Sequence, residues 1–129
     1  MAAAKTGPLV SASIKVGAML NNAKVSQLNN LDKYANSVAL AFQIHDDIMD
    51  ISSTMGKGRT IGTDIKRGNK TLLIIKTFEK SNNKQKKFIL SVLGNNNASD
   101  AEIKKAIGII KDTKALDYAS KYANKKIID

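Results

Sequence analysis

Residues 28–52 contain neither Gly nor Pro and are rich in Leu, Ala, Ile and Val. Such a run predicts one long helix, roughly 26–53. Within it Gln43, Asp46, Asp47 and Asp50 stand at i, i+3, i+4 and i+7, which sets all four on one helical stripe. Val38, Ala41, Ile44, Ile48 and Ile51 carry the other faces and are apolar, so this helix is expected to be buried on most sides. Three carboxylates on one stripe repel one another. At about 6 Å and an effective dielectric of about 20 each pair costs roughly 3 kcal/mol, against less than about 1 kcal/mol in open water. The stripe therefore faces either bulk water or a cation. A solvated face is the ordinary reading of an acidic helix. Two features oppose it here. The flanks are apolar, and the rest of the chain is basic, with 21 Lys and Arg against 11 Asp and Glu and a net charge of +10. Mg²⁺ is the natural partner, because it takes one or two carboxylates, keeps several waters and completes its shell with substrate phosphates.

The segment Phe42-Gln43-Ile44-His45-Asp46-Asp47-Ile48-Met49-Asp50 resembles the second aspartate-rich motif, FQxxDDxxD, of the trans-isoprenyl diphosphate synthases, the polyprenyl synthetases. Lys5-Thr6-Gly7 followed by Gly17-Ala18 is similar to the family's KTG…GA helix, and Gly58-Arg59-Thr60-Ile61-Gly62-Thr63-Asp64-Ile65 with Gly68-Asn69-Lys70-Thr71-Leu72 is similar to its GKPxGxDL…GKKTL segment. The resemblance implies an all-α antiparallel helix bundle, part of the isoprenoid synthase fold. It implies condensation of isopentenyl diphosphate with an allylic prenyl diphosphate. Asp46, Asp47 and Asp50 would be Mg²⁺ ligands, directly or through water. Lys5, Arg59 and Lys70 would hold diphosphate oxygens. Thr6 and Gln43, with Lys5, would form the catalytic lining. Two positions depart from the family: Arg59 replaces the Lys of GKP, and Asn69 replaces the first Lys of GKKT, where Lys70 could serve instead. His45 is assigned no role.

The family's first aspartate-rich motif, a DDxxD on an earlier helix, has no counterpart here, and Asp32 and Asp112 read as isolated. The expectation is a single partial domain over 1–129 that lacks the helices before the second motif and the last helices of the fold. Such a chain supplies one side of the site, is inactive by itself, and is completed by self-association or by a missing N-terminal half. A second reading is a non-catalytic small subunit or remnant that pairs with a complete synthase. A third is a basic helical nucleic-acid module; the scattered cations and the lack of aromatic interleaving speak against it, and no nucleic-acid partner is expected.

Elsewhere the chain punctuates itself. Pro8 is expected in the first turn of a helix running to about Asn21. Residues 54–70 hold four of the eight glycines and five cations, and read as a phosphate-binding loop. Helices are expected from Thr71, from Lys84 to Leu93, from the Ser99-Asp100-Ala101-Glu102 capping box, and from Ala115. With one Pro and little strand-type alternation the whole chain reads as helical. The absence of Cys fits a reducing, cytoplasmic setting, and no stretch approaches the roughly 20 apolar residues of a membrane span.

Overall fold

The computed structural model describes the backbone of residues 2–52 and 61–128, with side chains over 6–52 and 61–127. Among the described residues there are seven helices and no strand: α1 (Ala2–Leu20), α2 (Val25–Ile51), α3 (Thr63–Lys66), α4 (Leu72–Lys80), α5 (Asn83–Val92), α6 (Asp100–Asp112) and α7 (Ala115–Ile128). They form two compact units, one of 1–45 with 121–129 and one of 46–120.

In the first unit α1 and the start of α2 form an antiparallel pair. Thr6 meets Gln43, Gly7 lies against Asn36, and Ser11 and Lys15 both reach Asp32, so partner numbers fall along α2 as they rise along α1. The reversal is tight. The N–H of Asn21 donates to the carbonyl of Ala18 at 3.1 Å, and Asn22 takes the left-handed conformation that Asn tolerates, with φ 58°. Small Ala35 and Ala39 are buried, which lets the helices approach closely.

Two expectations need correction here. Pro8 is not in the first turn but inside α1, because the helix starts at Ala2. Ala2, Ala3 and Ala4 are the strongest helix formers, and they carry the helix upstream of a residue that removes one of its hydrogen bonds. Second, α2 is not buried on most sides, since Phe42 is 65% exposed and Tyr34 is exposed as well. Ala35, Ala39 and Ala41 are among its buried positions. Asp32, which belongs to no acidic motif, accepts from the Ser11 hydroxyl and pairs with Lys15 at 3.4 Å.

The second unit is built on α6. Ile103, Ala106, Ile107, Ile109 and Ile110, the five positions read as its inner face, are all buried. Helices α4 and α5 pack on it and bring Leu73, Ile74, Ile89 and Val92 into the same core. The starts of α4, α5 and α6 are each fixed by their own cap. The Thr71 hydroxyl accepts from the N–H of Ile74, and Asn82 with Gln85 and Ser99 with Glu102 form reciprocal capping boxes. Thr77 is wholly buried and donates its hydroxyl to the carbonyl of Leu73 at 2.7 Å, so no polar atom is stranded there.

The segment expected as loop through Lys70 contains the short helix α3, while residues 54–60 lie outside the described residues. Local sequence gives α3 little support. Its start is held by a distant carboxylate, described next.

Candidate functional site

On α1, Thr6 donates its hydroxyl to the Oε1 of Gln43 at 3.3 Å. The next residue, Gly7, is buried, and a Cβ there would sit 2.9 Å from the Oδ1 of the Asn36 side chain, inside contact distance. The glycine of the Lys5-Thr6-Gly7 triplet thus leaves room for the Asn36 side chain. Lys5 lies in α1, and its side chain is outside the described residues.

Farther along α2, Asp46 is half-buried and Asp47 is buried, with 7% of its surface exposed. A carboxylate in that position is held by partners or gives up its charge. Asp50 is half-buried, and both of its oxygens are engaged. Oδ1 accepts the N–H of Thr63 at 3.1 Å and Oδ2 accepts the N–H of Asp64 at 3.0 Å. The carbonyl of Asp50 also takes the N–H of Gly62 at 2.8 Å. Asp50 therefore caps α3 from thirteen residues away in sequence. Burial pushes its carboxyl above the ordinary range, and the two backbone N–H groups pull against that shift.

The chain beyond α3 closes on itself. Asn69 donates through Nδ2 to Asp64 Oδ1 at 2.6 Å and through its N–H to the carbonyl of Asp64 at 2.9 Å. The residue that departs from the family's Lys is thus a loop tie. Its neighbour Lys70 is exposed. Arg59 lies outside the described residues.

The structure brings Thr6 to Gln43, and Asp50 to the segment that leads to Lys70. Among the described residues no group of three or more Asp, Glu or His side chains is gathered closely enough to hold a metal ion by itself. The Asp50 cap and the Asn69 tie have no signature in local sequence, because each joins groups that only the fold makes neighbours.

The sequence model of the polyprenyl synthetases matches residues 1–110. The chain belongs to the polyprenyl synthetase family. Among its relatives, the short chain isoprenyl diphosphate synthase of Methanocaldococcus jannaschii is 38% identical over 116 residues, covering 89% of this chain and 35% of that protein. The geranylgeranyl diphosphate synthase of Sulfolobus acidocaldarius is 36% identical over 126 residues, covering 97% of this chain and 38% of that protein. The crystal structure of geranylgeranyl pyrophosphate synthetase from Pyrococcus horikoshii superposes with a TM-score of 0.86 at 32% identity, over 99% of this chain and 39% of that one. The polyprenyl synthetase chain thus has the helical isoprenoid synthase fold, and it spans well under half the length of these relatives. All three motifs of the polyprenyl synthetases quoted above fall inside the matched residues.

Proposed function

We propose that this chain supplies one side of a magnesium–diphosphate site in a prenyltransferase that condenses isopentenyl diphosphate with an allylic prenyl diphosphate. The observation that carries the reading is the Asp46–Asp47 pair, half-buried and buried on α2, inside the span that matches the polyprenyl synthetases. The donors fit Mg²⁺. They are hard carboxylate oxygens, which suit an ion that takes one or two carboxylates and leaves its other positions to water and phosphate. In this reading Asp46 and Asp47 would hold the ion, directly or through water. Asp50, with both oxygens on backbone N–H groups, acts through water and by fixing the segment toward Lys70. The chemistry a magnesium ion would supply there is neutralisation of the diphosphate charge, which would make diphosphate a competent leaving group.

The remaining roles belong to the chain itself. Lys5, Arg59 and Lys70 hold diphosphate oxygens, each as a charge-assisted donor. Thr6 and Gln43 hold each other in place and turn oxygen toward the positive charge that develops on the allylic carbon as the diphosphate departs. The double bond of isopentenyl diphosphate then attacks that carbon, and a proton is lost.

Calorimetric titration of the chain with inorganic diphosphate, with and without Mg²⁺, tests the reading. Binding that requires Mg²⁺ and falls at least about tenfold in Asp46→Asn and Asp47→Asn is expected, the loss that even an outer partner of a metal ligand produces. Equal binding without Mg²⁺, or in both variants, overturns it.

A further inference from the structure

The helices of the second unit run between two ends. One end holds α3, the C-terminus of α5 and the N-terminus of α6. Gly94 N–H donates to the carbonyl of Ile65 at 2.9 Å, and Lys66 lies 3.5 Å from Asp100. Asp50 is tied to this end through Thr63 and Asp64. At the other end α4 finishes, α5 begins and α6 finishes. Three relations place them together. Only Ser81 and Asn82 separate α4 from α5. Thr113 lies 3.4 Å from Thr77. Lys105 stands over the ring of Phe88 at 4.4 Å, which sets α5 antiparallel to α6.

That corner collects Lys80, Lys84, Lys87, Lys111 and Lys114, all exposed. Two exposed acids, Asp112 and Asp117, lie near them. Glu79 is already committed to Lys76 at 2.6 Å. Between Glu79 and Asp100 the sequence has no acid at all. Along the outer stripe of α5, Lys84 and Lys87 are followed at the same three-residue spacing by Leu90, an apolar side chain 61% exposed.

We infer that this lysine-rich corner and the outer stripe of α5 form a docking surface for an anionic lipid bilayer. Opposite charge supplies the attraction, and Leu90 offers an apolar contact at the headgroup level. Single-stranded nucleic acid is the weaker fit. Stacking platforms are what single-stranded binding needs, and the two rings near this surface are each covered by a lysine, Phe88 by Lys105 and Tyr118 by Lys76 at 4.5 Å. The choice of lipid also rests on the proposed prenyl-diphosphate reading, since such a product carries an apolar tail that partitions into a bilayer.

Vesicle co-sedimentation of the full 129-residue chain, without Mg²⁺ or substrate, tests this independently of the diphosphate site. Phosphatidylcholine vesicles with about 30% phosphatidylglycerol should bind the chain at least about tenfold more strongly than pure phosphatidylcholine. Binding should weaken as salt rises from about 0.05 to about 0.5 M, where the Debye length falls below the spacing of the charges. The variant Lys84→Gln, Lys87→Gln, Lys111→Gln, Lys114→Gln should lose the preference with its circular dichroism and melting unchanged. Leu90→Ser alone, which touches no charge, should weaken binding by a smaller factor. Equal binding to both vesicle types, or unchanged binding in the folded quadruple variant, overturns the inference. So does tighter binding to a DNA duplex than to the anionic vesicles. A positive result here with a failed diphosphate titration would separate the two readings.

Discussion

Asp50 holds the backbone N–H of Asp64 at 3.0 Å through one carboxylate oxygen, while its other oxygen holds the N–H of Thr63 at 3.1 Å. A side chain of the acidic stripe is therefore what lets α3 begin. The N-cap position of α3 is Gly62, which has no side chain with which to do it. Removing both acceptors strands two N–H groups in a half-buried place. Asp50→Ala is expected to lower stability by about 2 kcal/mol, and Asp50→Asn, which keeps one acceptor, by about half that. Urea denaturation of the two variants measures the difference. Equal stability of wild type and Asp50→Ala would mean that the cap contributes nothing.

Lys70 is exposed just before the N-cap of α4, so in the proposed site it meets diphosphate as a solvent-exposed charge. Lys70→Gln is expected to weaken Mg²⁺–diphosphate binding by about two- to fivefold, the size of an exposed ion pair. The deficit should shrink at high salt as screening removes the same term from the wild type. Calorimetry at low and high salt reads both effects, and a deficit that persists at high salt argues against this placement.

Two carboxylates, Asp32 and Glu102, should each contribute an acid-side loss of stability, opposite in sign to the contribution of the raised Asp50. The Ser11 hydroxyl and then Lys15 hold the Asp32 carboxyl below the usual range. The hydroxyl and then the backbone N–H of Ser99 do the same for Glu102. A carboxyl whose value is depressed on folding stabilises the native state above its unfolded value, and that contribution is lost as pH falls through the folded value. Stability should therefore be level above about pH 5 with respect to these two groups and should decline below about pH 4. Asp32→Asn and Glu102→Gln should each flatten the acid side of the curve. Melting temperatures between neutral and acid pH provide the measurement, and an unchanged slope in both variants contradicts the assignment.

How far the sequence could be read depended on whether the cause of a feature was local. The Ser99–Glu102 box, the Gly94 break and the isoleucine face of α6 are each set by residues within two turns of one another, and all three are found as expected. The motif that announces the acidic stripe was legible for the same reason. Pro8 misled because its first-turn preference is weak against three preceding alanines. The partners of Asp32 are on another helix, so local sequence carries no sign of them. For α3 the decisive acceptor, Asp50, is a full loop away. The Thr6–Gln43 contact spans thirty-seven positions, so only the family pattern, not residue spacing, could suggest it.

Gly68 and Gly94 meet where α3 and the end of α5 come together, and the two glycines should not be equivalent. Both have positive φ, 73° and 80°. Each alanine variant therefore incurs roughly 1 kcal/mol of backbone strain. A Cβ on Gly68 would also sit 3.1 Å from the Gly94 Cα, whereas a Cβ on Gly94 would keep an ordinary 3.6 Å from the Gly68 Cα. Backbone atoms move less readily than side chains. Gly68→Ala should therefore lower stability by about 2–3 kcal/mol and Gly94→Ala by about 1 kcal/mol. Gly17 supplies the control. It lies inside α1 with nothing within 4 Å of its Cβ position, so Gly17→Ala should raise stability by about 0.5–1 kcal/mol. The order Gly17→Ala above wild type above Gly94→Ala above Gly68→Ala, read from denaturant midpoints, is the expected result. A Gly68→Ala variant as stable as Gly94→Ala would show that the two segments do not approach as closely as described.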